Sequence, residues 1–284
     1  MARAKPASTI KTGGLKITTF SDGHLNLPLA MVALDAPEAE RTAALKAAGQ
    51  SGTTFTSPLN VTLIETPTDK ILVDVGSGPH FMGTAGKLVE GLEEAGVDPE
   101  KITKVIYTHA HPDHLWGTVN DFDELSFPNA AYYISETEWN FWMGQDVLSK
   151  LPKERHSFAV GAQRNLKAAK AQLKTIKPGI EIVSGVHVLA TSGHTPGHIS
   201  LEIGTGKDAV VILGDALTHP VISFEHPSWR PASDQDPEQA AATRLKLLDK
   251  LAQDGNRIIG YHLPTPGTGR VERRGKAYTF RPSA

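Results

Sequence analysis

Apolar residues along the chain fall mostly into short β-branched runs bounded by turn residues. Such runs predict strands over 15–20, 60–65, 70–75, 104–108, 131–134, 186–191, 199–203, 209–214 and 257–261. Helical spacing falls between them. Leu88, Leu92 and Ala95 share a face that stops at Gly96, a residue suited to a helix end. A longer helix is expected from Pro237 to about Ala252, with Asp236 as N-cap, Pro237 at the first position and Gln239 completing a capping box. Leu245, Leu248 and Leu251 would line one side of it. A further helix, basic on its outer face, is expected over 161–176. Strands come first in hairpin-like groups and then alternate with helices, in both halves of the chain. That order predicts a sheet sandwich with helices on both outer faces rather than one doubly wound sheet.

Composition narrows the function classes. A chain of 284 residues, 39% hydrophobic, can bury one large α/β core. A net charge of −2 gives no field that would draw nucleic acid or an anionic membrane, and no apolar run approaches the roughly 20 residues of a spanning helix. The opening MARAKPASTIKTGG is basic and rich in small residues but lacks the apolar stretch of a secretory signal. It reads as a flexible leader over 1–14, ahead of a single domain over 15–284, in a cytoplasmic protein. With no cysteine, any metal must be held by nitrogen and oxygen.

Three of the 12 histidines lie in THAHPDH, residues 108–114, at the end of an expected strand. His109 and His111 are two apart and point the same way, while Pro112 turns the chain into a helix. Asp113 and His114 then sit about 100° apart on its first turn, poorly placed to join the same ion. Four ligands on two faces of one turn suggest two metals. Further candidates stand at later strand exits: His194 in ATSGHTPGH, Asp215 ending VVILGDA, and His262 in RIIGYHLP. His109, His111 and His194 would hold one ion and Asp113, His114 and His262 the other, with Asp215 bridging. Two divalent ions are thus expected, zinc first, with Mn²⁺, Fe or Co²⁺ compatible. A pair 3.5–4 Å apart would share a water and present it as hydroxide, roughly the spacing of known two-metal sites. His198 is read as a supporting or structural residue. Asp74, in ILVDVGSG, either orients a metal-bound histidine or caps its turn.

The motif H-x-H-x-D-H, followed in order by a histidine, an aspartate and a last histidine, resembles the metallo-β-lactamase fold superfamily. The resemblance implies an αβ/βα four-layer sandwich with a dinuclear site at one edge. Asp215 sets the chain apart from the true β-lactamases, which lack a bridging aspartate. The chain has no room for the inserted domain of the RNA-processing branch or the flavin domain of the flavodiiron branch. Where glyoxalase II enzymes carry a helical region, it has one helix and a basic hairpin. FSDGHLNLP, FPNAAYYISETEWNFW, GHTPGH and the tail GYHLPTPGTGRVERRGKAYTFRP resemble methyl parathion hydrolase and its lactonase-like relatives. Trp116 departs from their usual glycine.

No second ionic clamp is evident near the ligands, which argues against a highly charged substrate. Trp139, Phe141, Trp142 and Phe158 could wall an apolar pocket, with Trp116 filling space beside the metals; by resemblance, Trp142 and Phe158 fall near pocket positions. The expected reaction is hydrolysis of a neutral small-molecule ester, most plausibly a lactone such as an N-acyl homoserine lactone, by the bridging hydroxide, with Asp113 relaying a proton. Organophosphate triester hydrolysis is the alternative, and an iron-dependent oxygenase a reading from another class. A homodimer is expected by analogy only.

Overall fold

The computed structural model describes residues 8–50 and 52–283. Two seven-stranded sheets follow one another in sequence. The first contains β1 (Ser8–Thr12), β2 (Leu15–Pro28), β3 (Thr54–Glu65), β4 (Lys70–Val73), β5 (Lys104–Ile106), β6 (Ala131–Ser135) and β7 (Leu173–Ile176), in that order. The second contains β8 (Glu181–Val183), β9 (Val186–Ala190), β10 (Ile199–Ile203), β11 (Val210–Ile212), β12 (Arg257–Ile259), β13 (Thr268–Arg274) and β14 (Ala277–Pro282), again in chain order. Parallel pairing is confined to β4–β5–β6–β7 and to β11–β12.

The unbroken apolar runs are explained by burial on both faces. Ile64, Ile71, Val73 and Ile106 point inward and meet Val188, Leu201, Val210, Ile212 and Ile259 of the other sheet. Their neighbours Leu63, Leu72 and Val105 point outward, into a core shared with α2 (Leu88–Glu94) and α6 (His156–Ala169). On the far side Val211 and Ile258 pack under α8 (Pro237–Asp254) through Leu247, Leu248 and Leu251. Helix, sheet, sheet, helix: the αβ/βα sandwich follows from this alternation. Among the described residues no helix is long and apolar enough to cross a membrane.

Several elements differ from expectation. Of the leader expected over 1–14, residues 1–7 lie outside the described residues and Ser8–Thr12 form β1, paired antiparallel with β2. The helix expected over 161–176 ends at Ala169, because Leu173–Ile176 pair in parallel with β6, which buries Ile176 between the sheets. In α8 Asp236 accepts from Gln239 N as an N-cap should, but the Gln239 side chain donates to Thr243 and leaves the capping box half made. Leu245 faces solvent, and Leu247 takes the place expected of it.

Candidate metal centre

Every ligand candidate sits where a strand leaves the sandwich at one edge. β5 ends at Ile106, and the chain runs extended to His111 before Pro112 starts the single turn α3 (Pro112–Leu115). His194 lies in the turn between β9 and β10, Asp215 just past β11 and His262 just past β12. The fold gathers these positions, 153 residues apart at the extremes (262 − 109), into two groups whose donor atoms lie within 4.8 Å of one another. His109, His111, His194 and Asp215 form one, and Asp113, His114 and His262 the other. Ring nitrogens of His109 and His194 come within 3.0 and 2.9 Å of His111 Nδ1. Asp215 faces both groups: Oδ2 is 3.2 Å from His194 Nε2 and 3.2 Å from His262 Nε2, and Oδ1 is 3.2 Å from His114 Nε2.

These residues fit a pair of cations. His114 Nε2 and Asp215 Oδ1 are fully buried and have no hydrogen-bond partner, a costly state unless something else occupies the space they share. Burial lowers His109 and His111 well below the usual imidazole range and keeps them neutral, as ligands must be. Burial opposes charge on His262 too, but Asp215 and Asp113 outweigh it and push it up to about 10. Asp215 shows the reverse: burial would raise it, yet His262, His114 and His194 hold it well below the usual carboxylate range. Two neutral histidines thus lie beside His114, His194 and His262, which Asp113 and Asp215 favour in their charged form, an arrangement in which divalent ions could take the place of protons.

The far side of each ring is held. Asp74, at a left-handed φ of 63°, accepts from His114 Nδ1 at 2.8 Å and from both the N–H and hydroxyl of Thr108 at 2.7 Å. It thus contacts both the imidazole and the strand end. His198 belongs to neither donor group: its Nδ1 meets Thr191, and its Nε2 accepts from Asp215 N at 2.9 Å. His194 Nδ1 faces Asp234 Oδ1 at 3.1 Å, and Asp234 in turn accepts from buried Arg244 at 2.7 Å. Tyr261 stacks on His114 and donates its hydroxyl to Asp113 O at 2.6 Å. Asp234, Arg244 and Tyr261 went unmarked in the sequence; for Tyr261 the signal was its place beside His262.

A cavity of about 300 Å³ opens onto His111, Asp113, His194, Asp215 and His262. Leu25, Leu27, Met31, Val32, Phe55, Phe81 and Phe158 make its apolar wall. Of the aromatics expected there, Phe158 lines it, whereas Trp116, Trp139, Phe141 and Trp142 do not. Trp142 is fully buried, its Nε1 donating to Glu138 and its ring edge-on to His111. Trp139 and Phe141 pack on the core of the first sheet. Trp116 stands behind the wall, with its ring centroid 5.5 Å from that of Phe81. Arg155, which the sequence did not mark, also lines the cavity and donates to the carbonyls of Ala232 and Ser233. His219 also lines it, neutral, since burial lowers it to about 4.

With this fold and this edge site, residues 56–262 match the model of the Metallo-beta-lactamase superfamily, and the chain belongs to that superfamily as a metal-dependent hydrolase. Metallo-beta-lactamase domain-containing protein 1 of Xenopus laevis is 30% identical over 200 residues, 69% of each chain. N-acyl homoserine lactonase of Bacillus thuringiensis is 26% identical over 219 residues, 69% of this chain and 77% of its own. Among solved structures, AidC, a dizinc quorum-quenching lactonase in complex with a product, superposes with a TM-score of 0.91 at 30% identity, over 98% of this chain and 97% of its own. AbOPH, a hydrolase of the beta lactamase superfamily, gives 0.89 at 30% identity over 97% of both chains.

Proposed function

We propose that the protein opens the ring of N-acyl homoserine lactones with two divalent ions, zinc first among the candidates. His109, His111 and His194 would hold one ion, Asp113, His114 and His262 the other, and Asp215 both. When bound, such a pair supplies Lewis acidity toward an ester carbonyl and lowers the pKa of a water.

The observation that carries this reading is the two-sided cavity. One side is the ligand cluster; the other is a wall of aliphatic and phenyl side chains with room for a short acyl chain. Polar contacts are few and placed between the two, as a substrate with one amide and one ester requires. His219 Nδ1 accepts from Val221 N and Ile222 N, so the neutral ring carries its hydrogen on Nε2. Arg155 sets the position of the Ala232–Ser233 backbone on the opposite rim. Asp113, beside His114 and His262, would relay a proton to the leaving alkoxide. Similarity to AidC and to the Bacillus lactonase supports the same substrate class.

The test is kcat/KM of the zinc-loaded protein on an N-acyl homoserine lactone against a methyl phosphotriester. A lactone preference of about a hundredfold or more, roughly 2.7 kcal/mol of transition-state discrimination, is expected. The reverse preference overturns the reading in favour of phosphotriester hydrolysis.

A further inference from the structure

We propose that Glu138 is a positioning residue for metal capture, holding the two loops that carry His109, His111 and His194 at the separation one ion needs. The inference rests on the assignment of those three histidines to a single ion.

Glu138 lies in the first turn of α4 (Glu136–Trp142) and is fully buried. A buried carboxylate without partners would be strongly disfavoured, and this one has four. Its Oε1 accepts from Ala110 N at 3.0 Å and from Trp142 Nε1 at 2.6 Å. Its Oε2 accepts from Thr195 Oγ1 at 2.7 Å and from Gly197 N at 2.9 Å. Ala110 is the residue between His109 and His111, and Thr195 follows His194 directly. One carboxylate therefore grips the backbone between two ligands in the first half of the chain and the turn behind a third in the second half.

At their base these loops are joined by the bond from Ile199 N to Thr108 O at 3.0 Å. Beyond it, at the level of the ligands, Glu138 spans the gap. The approach is close: a Cβ on Gly197 would lie 2.1 Å from Glu138 N, so the turn seats on the helix start only because residue 197 is glycine. All four groups donate, three of them N–H groups that cannot do otherwise, so the site specifies a carboxylate rather than its amide. In whichever orientation, a glutamine would set its NH₂ against at least one of those N–H groups. The pinned spacing of the loops acts on the ion through the ligands rather than on the substrate.

The experiment is titration of folded, metal-free protein with zinc against a chromophoric chelator, for the natural sequence, Glu138→Gln and Thr195→Val. The expected result is two ions on the natural protein. In Glu138→Gln one of the two affinities should fall by about tenfold or more, as when a support of a ligand is lost, with the other unchanged. Thr195→Val removes one donor, keeps the carboxylate, and should weaken the same ion by a smaller factor; it decides the matter if Glu138→Gln does not fold. A merely structural glutamate would lower the denaturation midpoint and leave both affinities alone, and that result overturns the proposal. An equal fall in both affinities overturns it too. Fewer than two ions on the natural protein would instead overturn the two-ion reading beneath it.

Discussion

Gly161 and Trp116 occupy one space. A Cβ built on Gly161, in the middle of α6, would lie 2.2 Å from two ring carbons of Trp116 and 2.5 Å from its nitrogen. The indole is thus seated against the helix backbone, and from there it backs Phe81, which in turn meets Phe158 at 6.2 Å between centroids. The tryptophan thus supports the cavity wall from behind.

A sign reversal should follow from that contact. Gly161→Ala alone forces the indole or the helix to move and should destabilise by about 1–3 kcal/mol. In a Trp116→Gly background the clash is gone, and the same change should be neutral or stabilising by up to about 1 kcal/mol, the ordinary helix preference of alanine. A urea double-mutant cycle reads the coupling directly. Additive effects would show that the two residues do not share space.

Asp215 faces both ligand groups, through His194 on one side and His114 and His262 on the other. Asp215→Ala should therefore lower zinc content below two ions per chain and reduce kcat/KM by about a thousandfold or more. Metal analysis by mass spectrometry and lactone kinetics on the same sample check it. Full activity would remove Asp215 from the site.

Phe158 is the expected pocket aromatic that does reach the cavity. Phe158→Ala should lower kcat/KM for long acyl chains relative to short ones, by about tenfold, the scale of one to two buried methylenes. Zinc content should not change. Loss of zinc instead would place the ring in the support of His111, which it approaches at 6.0 Å.

His219 gives a pH dependence whose sign is fixed. Burial lowers it to about 4, whereas an unfolded histidine titrates near ~6.5. Between these values the unfolded chain binds the extra proton, so the contribution to stability is present above the unfolded value and is lost as pH falls toward 4. From about pH 7 to pH 5 the metal-free natural protein should lose about 2 kcal/mol more than His219→Gln. Urea midpoints at the two pH values measure this; equal losses would mean that the ring is not held neutral.

The candidate metal centre was legible because its residues announce themselves locally. His109 and His111 alternate at a strand end, Pro112 forces the turn, and Asp215 is a carboxylate on an otherwise apolar run. The sandwich was legible for a related reason: strands buried on both faces, such as Val210–Ile212, leave nothing but apolar residues to read. What lay hidden depends on contacts across the chain. Glu138 and Asp234 look like ordinary acidic residues of a helix and a loop until the fold brings Ala110 and His194 to them. The α4 aromatics were misleading for the same reason, since Trp142 turns inward to reach Glu138 while Phe81, from an unremarkable loop, forms the wall. Leu173–Ile176 was taken into a helix because a four-residue edge strand has too few positions to show its period.

Four of the seven candidate ligands belong to the first sheet's half of the chain and three to the second's, and no half contains a complete group. A ribosome that has made the protein as far as Ile176 has presented His109, His111, Asp113 and His114 with the remaining three still to come. Neither group is therefore complete before the second sheet's half is made: one closes at Asp215 and the other at His262.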